Sequence, residues 1–68
     1  ERKRAVHEAL KKLNEEMRMA VHLVYFDGMS YAETAKIMKK SPKQVDNLLY
    51  RAKAELRSLL GKEGESLL

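Results

Sequence analysis

The chain has 68 residues and no cysteine, and fourteen lysines and arginines against ten acids give it a formal charge of +4. That length allows one domain, and with neither a disulfide nor a thiolate metal site to staple it, its small core must come from close packing of regular elements. No apolar run approaches the ~18 residues of a membrane span and no signal-peptide pattern opens the chain, so a cytoplasmic protein is expected. The start at Glu1 rather than at a methionine reads as a fragment cut from a longer protein.

Breaks are few: one proline, Pro42, and three glycines, Gly28, Gly61 and Gly64. Val6, Ala9, Leu10 and Leu13 recur at i, i+3, i+4 and i+7, which predicts an amphipathic helix over residues 2–13. Asn14 is placed to cap a second helix, with Met17 in its first turn and Gly28 at its end. In helical projection Met17, Val21 and Val24 form one edge of that helix, and Met19, Leu23 and Phe26 another. With Ala20 between them they span an apolar arc of about 220°, against the ~100° stripe of an ordinary surface helix. A helix this apolar is expected to be central to the domain, or to meet a partner as well.

Ser30 followed by Glu33 is a capping box that starts a third helix at Tyr31. Ser41 repeats the device with Gln44, and Pro42 occupies the first helical position, where its missing N–H costs nothing. The fourth helix is predicted to run to about Leu60, with Gly61 as its stop. No stretch alternates with period two for long enough to suggest a strand. The predicted fold is therefore all-α: four helices over residues 1–61, then a polar tail over residues 62–68 expected to be disordered.

Helices three and four are separated by only a few residues, the spacing of a helix-turn-helix whose second helix can enter the major groove of DNA. Ala35 and Val45 suit the contact between them. On the fourth helix Val45, Leu49, Ala52 and Leu56 project toward the core, with Leu48 and Leu59 at the margin. Asn47 points the opposite way, flanked by Lys43, Gln44, Tyr50, Arg51 and Ala54. Amide, hydroxyl and guanidinium groups are the types that bond base edges and phosphates, whereas a merely solvated helix face favours Lys and Glu. Residues 36–57 hold seven basic side chains (Lys36, Lys39, Lys40, Lys43, Arg51, Lys53, Arg57) and two acids (Asp46, Glu55). On charge alone, a polyanion partner and an ordinary solvated surface both remain open.

The runs LNEEMR at 13–18, LVYFDGMSYAETA at 23–35 and SPKQVDNLLYRAKAELR at 41–57 resemble region 4 of the bacterial sigma-70 family, in its extracytoplasmic-function group. The resemblance covers about residues 13–60. It implies a C-terminal sigma-factor domain that reads the −35 promoter element and contacts the β flap of RNA polymerase core, and it allows an anti-sigma factor as a further partner. It places the reading positions on Lys43, Gln44, Asp46, Asn47, Tyr50 and Arg51. Tyr31, Lys40 and Ser41 join them in the candidate DNA interface, Lys40 and Lys43 as phosphate anchors at the start of the helix. The apolar arc of the second helix, bounded by the first helix, is the expected seat of the flap. Lys39 departs from the family, which often has glycine there; a left-handed lysine costs about 1 kcal/mol, so a different turn is an alternative. Asp46 stands where many members are basic, and Thr34 where an aliphatic residue is usual.

Two other readings stay open. One is the helix-turn-helix output domain of response regulators, although that recognition helix typically continues with His and Asn rather than Tyr50, Arg51, Ala52 and Lys53. The other is a protein-interaction adaptor that has lost DNA binding. An enzyme is not expected: His7 and His22 are 15 residues apart with no cysteine between them, and no phosphate loop or positioned acid pair appears. The methionines read as core or interface filler. No cofactor, metal or membrane is implied.

Overall fold

The computed structural model describes residues 2–61, with side chains from Arg4 onward. It holds α1 (Arg2–Lys12), α2 (Glu15–Val21) continuing into a π-helical turn (His22–Phe26), α3 (Tyr31–Met38) and α4 (Pro42–Leu60). The predicted tail lies outside the described residues. Among those described, no helix is long and apolar enough to cross a membrane.

The helix starts follow from their caps. The Asn14 side chain accepts from the Met17 N–H at 2.8 Å, and Glu15 and Glu16 sit in the first turn, where the helix dipole favours acids. Both predicted capping boxes form. Ser30 Oγ accepts from the Glu33 N–H at 3.0 Å while Glu33 Oε1 accepts from the Ser30 N–H at 3.1 Å. Ser41 Oγ accepts from the Gln44 N–H at 3.1 Å and Gln44 Oε1 accepts from the Ser41 N–H at 2.8 Å.

The turn between α3 and α4 keeps a left-handed residue although the sequence supplies no glycine. Lys39 has φ 57° and ψ 48°, and the next residue, Lys40, donates its N–H to the Ala35 carbonyl at 2.8 Å. This is the closure that ordinarily follows a left-handed residue at a helix C-terminus. The alternative of a different turn is set aside; the lysine bears the strain.

The second helix departs from expectation. Rather than one α-helix to Gly28, the chain widens after Val21 into a π turn, with Asp27 donating to the His22 carbonyl at 2.9 Å. Gly28, at φ 73°, ends it, and Met29 donates to the Leu23 carbonyl at 2.9 Å. That closure spans one residue more than the usual 6→1 bond, the signature of an inserted residue. A projection with constant α-helical angle therefore fails beyond residue 21.

The predicted arc divides accordingly. Met17, Ala20 and Val21 are buried and Val24 packs against the core, whereas Met19 and Phe26 are 44% and 56% exposed. The core joins Ala9 and Leu13 of the first segment to these residues, to Ala35, and to Val45, Leu48, Leu49, Ala52 and Leu56. Ala35 and Val45 are both buried, as expected at the helix-turn-helix angle. α4 packs against the other three, and the second helix packs in turn against α4 and, through its π turn, against α3.

Candidate nucleic-acid interface

Burying Val45, Leu48, Leu49, Ala52 and Leu56 fixes the rotation of α4. Lys43, Gln44, Asp46, Asn47, Tyr50 and Arg51 are then all exposed, Tyr50 by 76%. Six of the nine candidate residues therefore stand on the outer side of one helix, beginning in its first turn.

The charge at the helix starts is uneven. The first turns of α2 and α3 carry Glu15, Glu16 and Glu33, which match the positive end of the helix dipole. The first turn of α4 carries no acid and presents Lys43. For helix stability alone this is the poorer arrangement. It leaves the dipole and the free charge both aimed outward, as an anion requires.

The other three candidates are differently placed. Ser41 spends its hydroxyl on the cap of α4. Lys40 is half-buried, and its Nζ lies 2.8 Å from Glu16 Oε2 on α2. An ammonium held this way has its charge offset by Glu16 and is a weaker anchor for a phosphate than a free one. Tyr31 begins α3 and is 37% exposed. Burial pushes its phenol above the ordinary value, and a shared hydrogen bond with Tyr25 and the charge of Asp46 add to the shift. The phenol thus stays protonated and able to donate.

Thr34 is fully buried and its hydroxyl has no hydrogen-bond partner, the one such side-chain atom among the described residues. A threonine in a helix can bond back to a carbonyl one turn earlier, but this one does not.

A second surface lies on the outer edge of the α2 segment. Met19, Leu23 and Ile37 floor a groove of about 430 Å³ whose rim is Glu15, Arg18 and His22. Its far wall is α3, and none of the described residues of α1 lines it. Phe26 stands exposed further along, its ring 5.7 Å from that of His22. His22 also faces Asp27 at 3.6 Å.

Glu16, Tyr25 and Ile37 were not among the residues the sequence singled out. For Glu16 and Tyr25 no local signal exists, because their partners are distant along the chain or across a turn. Ile37, 51% exposed, had one: it is a β-branched aliphatic residue on a short helix whose core contacts are made by Thr34, Ala35 and Met38.

Comparison with known proteins is consistent with this geometry. Residues 3–56 match the family described as Sigma-70, region 4. Over 56 residues the chain is 38% identical to the ECF RNA polymerase sigma factor BldN of Streptomyces coelicolor, an alignment covering 82% of this chain and 21% of that protein. The chain thus spans about a fifth of the length of the curated relative it matches. No solved structure matches.

Proposed function

Since this chain belongs to the region 4 family of sigma-70 factors, in its extracytoplasmic-function type, we propose that it reads the −35 element of promoter DNA with α4 while an apolar groove on α2 receives the β flap of RNA polymerase. One observation carries the DNA reading. The exposed side of α4 presents Lys43, Gln44, Asn47, Tyr50 and Arg51 from a helix start that lacks an acid. Recognition helices place their N-terminal residues against base edges, and phosphate contacts flank them.

The roles divide by chemistry. Asn47 has an amide that can accept from and donate to an adenine edge, and Arg51, one turn on, can fork onto guanine or grip a phosphate. Lys43 at the first turn holds a phosphate, and the Tyr31 phenol donates to another from the start of α3. Asp46 repels phosphate but can accept from a cytosine amine, so it adds selectivity at the expense of affinity. The flap reading rests on the groove floored by Met19, Leu23 and Ile37, apolar groups that the fold leaves partly uncovered.

The test is promoter competition with reconstituted polymerase at two salt concentrations. Asn47→Ala should cost about 1–3 kcal/mol on the preferred site and flatten base preference at one position. Lys43→Ala should weaken all sequences alike and reduce the salt slope by about one. If Asn47→Ala left base preference intact while Lys43→Ala changed it, the division into reader and anchor would be wrong. A domain whose affinity showed no salt dependence at all would favour the interaction-only adaptor instead.

A further inference from the structure

The two capping boxes are alike in geometry and differ in one atom that matters. In each, the third helical residue turns its side chain back so that Oε1 accepts the N–H of the capping serine: Glu33 to Ser30 at 3.1 Å, Gln44 to Ser41 at 2.8 Å. On α3 that residue is a carboxylate, which the helix dipole prefers. On α4 it is a neutral amide, which forgoes part of that electrostatic gain. The amide keeps something the carboxylate lacks, an NH2 group with two donors. Gln44 is exposed, its Nε2 makes no hydrogen bond among the described residues, and it stands in the first turn of the helix proposed above to enter the major groove.

We propose that Gln44 is a donor-only reader: the cap of α4 holds its carbonyl oxygen, so the NH2 group alone faces the base edge and selects an acceptor there. A free glutamine commonly reads adenine bidentately, accepting from N6 with its oxygen and donating to N7 with its nitrogen. With Oε1 held at 2.8 Å against the start of the helix, that fork is not presented. What remains matches guanine, with N7 and O6 both acceptors, thymine with O4, and adenine through N7 alone; cytosine, which offers only the N4 donor, is rejected. The helix start thus becomes a specificity filter whose polarity is set by a backbone bond rather than by the side chain's own rotamers. Asn47, one turn later, has no such tether and keeps both its groups for reading.

This inference rests on the DNA-reading function proposed above, and its test separates the two. Gln44→Glu preserves the cap, since a carboxylate oxygen can accept from Ser41 as Glu33 does from Ser30, but it turns the outward donor into an acceptor. The chain and this variant are each used to select from a pool of randomised duplexes at low salt, and helix integrity is checked by thermal melting. The wild type should prefer guanine or thymine at one position by roughly tenfold over cytosine. The variant, melting at the same temperature or higher, should exchange that preference for cytosine or adenine at the same position. A variant that keeps the wild-type preference at every position overturns the donor-only assignment and leaves the DNA-reading function standing. A wild type whose Gln44-dependent position prefers cytosine overturns it as well. Absence of any base preference in both proteins overturns the DNA reading itself, and this inference with it.

Discussion

Thr34 offers the cleanest measurement of how this small core is balanced. Its side chain is completely buried in α3 and its hydroxyl has no partner. A buried hydroxyl without a hydrogen bond costs about 1–3 kcal/mol by mutational evidence, because water is surrendered and nothing replaces it. Thr34→Val replaces the hydroxyl by a methyl of nearly the same volume, so no cavity opens and no new clash arises, and both residues are β-branched with similar helix propensity. The exchange should stabilise the fold by about 1–2 kcal/mol. For a domain of this size each kcal/mol moves the midpoint by about 4–8 °C, so Tm should rise by roughly 5–15 °C. Circular dichroism melting and urea titration are the assays, with Thr34→Ser as the control. Serine keeps the unbonded hydroxyl and loses a methyl, so it should be destabilising. A valine variant no more stable than the parent would refute the reasoning and show that the hydroxyl is satisfied in solution.

Three further outcomes are expected. Glu16→Gln removes the charge that holds Lys40, so it should raise DNA affinity at low salt and steepen the log–log salt slope by about one; an unchanged slope would leave Lys40 outside the interface. Ile37→Asp places a charge on the wall of the apolar groove at a half-exposed site; capture by the isolated β flap should weaken while Tm and DNA affinity hold, and equal loss of DNA affinity would defeat the assignment. The Tyr31 phenol is raised in the fold above its ordinary value of 10.0, so the stability tied to it is intact below that pH and is lost as pH climbs through the folded-state value. Urea titrations above pH 10 should show this decline, shallower in Tyr31→Phe.

Local chemistry made most of the fold legible. The caps at Asn14, Ser30 and Ser41 need only residues three positions apart, and each forms the bond its spacing predicts. The rotation of α4 was legible for a related reason, since nineteen residues with one apolar stripe can bury only one side. The π turn was not legible, because no single side chain announces it. The division of the second helix was hidden similarly: Met17, Ala20 and Val21 join the core while Met19 and Phe26 face outward, and the sequence shows all of them only as apolar.

The candidate interface was legible as residue types and positions, not as states. Sequence spacing can place Lys40 beside Lys43 at the start of α4. It cannot show that one ammonium is already held by Glu16 while the other is exposed, nor that Gln44 presents a nitrogen rather than an oxygen. These distinctions arise where a local device meets a long-range contact: a capping bond on one side of the turn and an ion pair to α2 on the other. The turn itself bears strain, since Lys39 holds a left-handed conformation that glycine would adopt freely. Lys40 directly follows that residue, closes α3 through its N–H and grips α2 through its side chain. One residue therefore couples the strained turn to the helix that carries the apolar groove.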